Sequence, residues 1–344
     1  MAFPVISSVV VRGALQNVST LYRNAEYVAD SVFPLINGLN YQTKVAKYNK
    51  QPWFTNAAKI RAPGTTAPRV DWSLSYQNLD PVEIAAGGVV VDELFFASQQ
   101  PGNAPIQPIQ DTILLVSDKL DLYREVLVAN SILGGTTVFA DGTAGGSVPT
   151  NGAGSWLEVG ASDSTTSNFI KDILTAKFNI QQKTGIDPNS LLMDYATFYN
   201  LLMNEPTLQR IKFSQKEAGN PAIVTPNVLA QMLGIENVIV GKAITSPSKD
   251  NVSTVNSPVM KSIWDSQANS GKGMAFLFYR PAAAGLKQLS VGYQYRVAYD
   301  GNTWRRLISY REEWNHQTVY EASEWIEVVP VQADVGYLWT RTIA

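Results

Sequence analysis

Between Asp111 and Leu133, apolar side chains return every three or four positions. Ile113, Val116, Leu120, Tyr123 and Leu127 fall on one stripe, which predicts an amphipathic helix closed by Gly134-Gly135. A second stripe, Phe169, Ile170, Ile173, Leu174 and Ile180, predicts a helix over residues 168–184 with Gly185 as its stop. Shorter helices are expected over Leu15–Ala29, ended by Asp30-Ser-Val-Phe-Pro34, and over Tyr195–Asn204 ahead of Pro206. Another runs from the N-cap Thr225, with Pro226 at its first position, to Gly234. Leu191–Met193 and Val238–Val240 are short apolar runs and read as buried strands. Met274–Arg280, Val291–Ala298, Thr303–Arg311 and Thr318–Val331 read as further strands. Residues 97–110, rich in proline and glutamine, read as an extended linker. Residues 134–167 and 242–272 read as loops.

Residues 41–93 predict a long β-hairpin with no core of its own. Its tip, Arg61-Ala-Pro-Gly-Thr-Thr-Ala-Pro68, is made of turn residues. The charge is divided between the two halves. Lys44, Lys47, Lys50, Lys59, Arg61 and Arg69 lie in 41–70 without an acid, and Asp71, Asp80, Glu83, Asp92 and Glu93 lie in 71–93 without a base. A lone two-stranded ribbon is marginal in water. The expectation is an arm that lies on another copy of the chain.

Composition sharpens this picture. Of 344 residues, 45% are hydrophobic and only 16% charged, which fits a subunit whose surface is covered by neighbours. A net charge of −2 argues against non-specific nucleic-acid binding over the whole surface. With no cysteine, disulfides and thiolate metal sites are excluded, a composition compatible with the cytoplasm. No apolar run is long enough for a transmembrane helix, and Met1–Arg12 lacks the basic region of a signal peptide.

Candidate chemistry is sparse. His316 is the sole histidine, too little for a zinc site, and no Gly-x-Ser-x-Gly elbow supports a triad around it. Gly241-Lys242 follows an apolar strand, but Ala243 and the distance to Gly234 do not fit a phosphate loop. The glycines of 145–154 lack a dinucleotide-binding context. Trp304, Trp314, Trp325 and Trp339 lie near Glu312, Glu313, Glu324 and Glu327, the ingredients of a glycosidase or carbohydrate site. An alternating strand with one packed and one wet face explains the same residues.

The order of segments carries a resemblance. Ala29-Asp30-Ser-Val-Phe-Pro34 with Lys47-Tyr48 and Trp53-Phe54, then Arg61-Ala-Pro-Gly64, then Leu122-Tyr-Arg-Glu-Val-Leu-Val-Ala129 resemble successive parts of the major capsid proteins of tailed bacteriophages. Thr184-Gly185, Pro188-Asn189-Ser-Leu-Leu192 and Val238-Ile-Val-Gly241 continue it. The resemblance implies an α+β fold in five parts: an N-terminal arm (1–40), an extended loop (41–96), a peripheral domain with a long spine helix (97–185), an axial domain (186–304) and a peripheral C-terminal strand (305–344). It implies a structural protein without catalytic residue, cofactor or metal. Such a chain forms hexamers and pentamers of an icosahedral virion shell around double-stranded DNA. It assembles in the host cytoplasm with scaffolding and portal proteins and without a membrane. One family member cross-links a loop lysine to asparagine, and Lys59 beside Asn56 is the candidate for that here.

For docking between copies, the bases Lys44, Lys47, Lys50, Lys59, Arg61 and Arg69 are expected to meet acids of a neighbour. Asp111, Asp118 and Asp121, or Glu321, Glu324 and Glu327, are the candidates. The alternatives are an encapsulin-type nanocompartment shell, which shares the fold, and a carbohydrate-binding or hydrolytic protein using the C-terminal tryptophans.

Overall fold

The longest strand, Gln317–Pro330, organises the larger of two principal sheets. The computed structural model describes residues 24, 26–38, 40–41, 43–99, 107–134, 139, 169–204, 224–246, 260–265, 273–283, 288–299, 303–340 and 342–343. In chain order, the first half contains α1 (Ala29–Val32), β1 (Leu35–Gly38), β2 (Thr43–Tyr48), α2 (Gln51–Phe54), β3 (Leu74–Leu79), β4 (Val82–Val91), α3 (Asp92–Ser98) and α4 (Pro108–Leu133). There follow α5 (Phe169–Thr184), β5 (Ser190–Asp194), α6 (Tyr195–Met203), α7 (Pro226–Leu233) and β6 (Asn237–Gly241). Then come β7 (Ile244–Thr245), β8 (Lys261–Ser262), β9 (Ala275–Phe278), β10 (Gly292–Val297), β11 (Arg306–Glu312), β12 (Gln317–Pro330) and β13 (Gly336–Trp339).

In the larger sheet, β12 pairs antiparallel with β11 over 317–323 and with β10 beyond it, and β1 adds to β10 in parallel. β4 takes the opposite edge of β12, from Val91 facing Gln317 to Val82 facing Ile326. This corrects the expected hairpin. Only β2 and β3 form the freestanding ribbon, with Thr43 opposite Leu79 and Tyr48 opposite Leu74. Glu83 therefore lies in the main sheet, and Asp92 and Glu93 open α3. Burial explains the difference. Val90 is buried, and the small Ala85-Ala86-Gly87-Gly88 segment lets β4 approach α4. A Cβ on Gly88 would run into the Thr112 and Val116 side chains.

α4 starts earlier than its apolar stripe, because Pro108 fits a first helical turn, where no backbone N–H is needed. Its buried face also differs from the expected one. Val116 and Leu120 pack on Ala322, Ile84 and Ala86, whereas Val128, Ala129 and Ile132 join a second cluster with Phe33, Phe276 and Trp264. Tyr123 is 48% exposed and Leu127 only half-buried. The buried row passes through a carboxylate, Glu125, which a hydrophobicity stripe steps over. Truncating Leu120 to alanine should cost about 2–5 kcal/mol. Tyr123→Ala should change stability by only about 0.5 kcal/mol. Urea unfolding of the two variants checks the assigned face.

The smaller sheet runs β13-β9-β5-β6, its β5 and β9 fully buried. Phe169, Ile173, Ala176 and Ile180 of α5 and Leu229 and Leu233 of α7 cover one face. Leu192, Phe276 and Phe278 point to the other, toward α4. Positive φ at Gly185 (71°) and Gly234 (62°) ends α5 and α7 where the sequence places their stops. Thr225 caps α7 by accepting from Val228 N.

Several expected boundaries shift. Ala29–Val32 is itself a helical turn, although the preceding helix was expected to stop there, and Leu15–Arg23 lies outside the described residues. Asp92–Ser98, which runs from the last residues of the expected hairpin into the start of the expected linker, is helical. Most of 134–167 also lies outside the described residues. The two sheets do not follow the expected domain limits. β10, expected in the axial part, pairs with β12, and β13, expected in the peripheral C-terminal part, pairs with β9.

Candidate intersubunit interface

The β2–β3 ribbon is anchored at its foot. Leu79 is buried among Tyr295, Val297 and Val329, with Val45 and Trp325 alongside, and the Tyr41 ring stands edge-on to Trp325 at 4.9 Å. Beyond Tyr48 the chain makes one turn, α2, and then runs without helix or strand from Thr55 to Ser73. Bulky apolar side chains stand bare along it. Trp53 is 67% exposed, and Phe54, Ile60, Val70, Trp72 and Tyr76 are exposed as well. The Tyr48 ring lies near those of Trp53 (6.2 Å) and Trp72 (5.8 Å). Exposed aromatics on this scale mark an interaction surface.

The six bases divide. Lys50 donates to Asp334 of its own chain at 3.2 Å. Lys47 is half-buried, and that burial lowers its ammonium pKa. Lys44, Lys59, Arg61 and Arg69 are exposed and form no ion pair among the described residues.

The proposed acids divide too. Asp111 is exposed. Asp118 accepts from the Tyr27 hydroxyl at 2.9 Å, and burial together with this carboxylate pushes the phenol up. Asp121 is held by Arg305 at 2.6 Å and Arg124 at 3.5 Å, and Arg124 also reaches Asp30 at 3.2 Å. Glu324 is fully buried and paired to Arg305 at 3.3 Å, so it is no surface acid. Burial lowers the Arg305 pKa, but Asp121 and Glu324 more than offset this. Glu327 accepts from Asp80 N at 2.6 Å, and burial raises its carboxyl. Asp121, Glu324 and Glu327 thus hold their own subunit together. Asp111 remains the exposed member of the set.

Two buried carboxylates escaped the sequence reading. Glu125 accepts from Val28 N (3.0 Å), Ala29 N (2.7 Å) and Trp264 Nε1 (2.7 Å), tying the arm before β1 to α4. Burial pushes its carboxyl up against the downward pull of these three donors. Asp194 caps α6 by accepting from Ala196 N and Thr197 N, and it also accepts from Met274 N at 3.1 Å. The Asp-Tyr-Ala-Thr step after an apolar run was the available N-cap signal.

The candidate chemistry disperses. Trp304 lies under Arg296, Trp314 stands 97% exposed on the β11–β12 turn, Trp325 packs on Tyr41, and Trp339 is buried in β13. They form no common sugar platform. His316 is exposed in a left-handed conformation (φ 48°) that closes the same turn. Lys242 sits over the Tyr195 ring at 5.6 Å, and a two-residue strand follows it rather than a phosphate-binding helix. Among the described residues no three His, Asp or Glu side chains cluster to hold a metal, and no helix is long and apolar enough to cross a membrane.

No family model matches the chain. Over 254 residues it is 22% identical to the major capsid protein of Burkholderia phage BcepMu, covering 72% of this chain and 73% of that one. A phage-related protein from Bordetella bronchiseptica RB50 superposes with a TM-score of 0.59 at 19% identity, over 92% of both chains. The capsid of cyanophage P-SCSP1u gives 0.57 at 10% identity, covering 94% of this chain and 90% of that one. The fold is that of a phage major capsid protein. Its α+β class agrees with the sequence expectation.

Proposed function

We propose that the chain is the major capsid protein of a tailed phage. It self-assembles into hexamers and pentamers of an icosahedral shell that encloses double-stranded DNA and engages scaffolding and portal proteins. The observation that carries this reading is the whole-chain structural likeness to a phage capsid subunit. The exposed aromatic ribbon supports it, since such a surface is stable in water when another chain covers it. On this reading the sheet around β12 with α4 is the peripheral domain, and the sheet around β5 and β9 is the axial one. The chain is structural and not an enzyme, it works in the virion, and it is assembled in the host cytoplasm. A net charge of −2 suits a shell that must release its DNA.

The ribbon's exposed bases steer docking on a neighbour's acids, Asp111 foremost. Each exposed pair is worth only about 0–1 kcal/mol, but the contact repeats in every subunit. Reversing Lys59, Arg61 and Arg69 to glutamate should block assembly at low salt, where exposed charges are least screened. Sedimentation of the triple variant reads this out. Particles formed as readily as by the unaltered chain would remove the steering role.

A further inference from the structure

The segment ahead of β1 is bonded in turn to each main part of the subunit. Asn24 pairs with one residue of β7, just beyond β6 of the smaller sheet, much as a neighbouring strand would. Its side-chain amide donates to Ile244 O at 2.8 Å and accepts from Ile244 N at 3.1 Å. The Tyr27 hydroxyl, Val28 N and Ala29 N then donate to Asp118 and Glu125 of α4. Asp30 gathers donors from three places. Its carboxylate accepts from Arg124 of α4 at 3.2 Å and from Gln294 of β10 at 3.0 Å. Its backbone carbonyl accepts from Arg280, past the end of β9, at 3.2 Å.

Val32 and Phe33 close the run without solvent exposure. They share a cluster with Ile132 of α4 and with Phe276 and Phe278 of the smaller sheet, and Val328 of β12 packs against it. A Cβ on Gly292 would come within 2.8 Å of the Phe33 ring, so β10 is notched where the ring enters. Gln294 also donates to Phe33 O at 2.9 Å. β9 and β10 lie in different sheets. One short segment is thus bonded to β10 on one side and to the chain just past β9 on the other.

We infer that this segment is a strap that holds the smaller sheet, α4 and the larger sheet in one relative position, with Asp30 as its positioning residue. The strap acts as a unit, because local opening follows cooperative segments rather than single bonds. Loosening it at Asp30 frees Asn24 from Ile244 and lets the two sheets shift, while each sheet keeps its own ladder. The inference goes beyond the capsid reading and stands whether or not the chain forms a shell.

Hydrogen–deuterium exchange of the full chain reads the strap at a distance. Asn24→Ala removes the bond to Ile244 N directly and should speed exchange there by about tenfold or more. Asp30→Ala should approach the same rate, although the partners of Asp30 lie on α4, on β10 and past β9. Amides of β5 and β12 should exchange as in the parent. Asp30 is exposed and Arg124 keeps Asp121 within 3.5 Å, so Asp30→Ala should fold. Asp30→Asn keeps an acceptor for Gln294 and should fall between. The chain has no cysteine, so spin labels on Lys171→Cys of α5 and Ser309→Cys of β11, both exposed, report the two sheets alone. Labelled chains diluted with unlabelled ones should give one narrow distance in the parent and a broadened or shifted one with Asp30→Ala. If either the Ile244 amide or the label distance in Asp30→Ala matches the parent, the strap is wrong. Protection lost equally across β5 and β12 would also overturn it, since the fold would then melt as a whole.

Discussion

Glu125→Ala should yield little or no soluble protein. Glu125 has no solvent exposure, and its two oxygens satisfy Val28 N, Ala29 N and the Trp264 indole N–H. Alanine leaves three donors without an acceptor, two of them buried and the third partly so, and each buried one costs about 1–3 kcal/mol. A total near or above 3 kcal/mol is a large share of the roughly 5–15 kcal/mol that holds a domain folded. Glu125→Gln should be milder. Its carbonyl oxygen can still accept from Val28 and Trp264, and its NH2 group then opposes Ala29 N–H. The isosteric variant also tests the pH dependence. The Glu125 carboxyl is raised in the fold, chiefly by burial. It therefore favours the folded state most below the ordinary carboxylate range. That contribution is lost as pH rises from the ordinary value through the raised one, and is constant above it. Urea midpoints of Glu125→Gln against pH should lack this decline.

Arg305→Ala should cost about 3–5 kcal/mol, because it strips the cation from a fully buried Glu324. Asp121 loses less, since Arg124 remains within 3.5 Å of it. Adding Glu324→Gln to Arg305→Ala should recover much of the loss, because the buried charge goes with its partner. Thermal unfolding of the two single variants and the double variant completes the cycle. A drop below about 1 kcal/mol in the single Arg305 variant would show that the pair does not brace β12 against α4.

Legibility in the sequence followed periodicity and turn chemistry. α5, α7 and the strands around Leu192, Ile239 and Phe276 stand where apolar runs and glycine stops place them, because local pattern and tertiary burial agree there. The exposed tip was also readable, since basic and turn residues crowd a stretch without a core. The return half was misread because β4 has the alternating look of any half-buried strand. Its partner, β12, lies more than 200 residues away, and no local signal names it. The same limit applies to the interface acids. Asp121 and Glu324 read as surface charges on a helix and a strand, and only the arrival of Arg305 from another segment makes them structural. Glu125 was hidden because a carboxylate on a buried face contradicts a hydrophobic stripe unless three distant donors are known to converge on it.

On the proposed function, this chain builds a closed shell from copies of itself. Electron microscopy of the purified protein at micromolar concentration tests it most directly. Closed icosahedral shells, or free hexameric and pentameric rings, are expected at one or more salt concentrations. A uniform population of compact monomers, unchanged across salt and concentration, would contradict it.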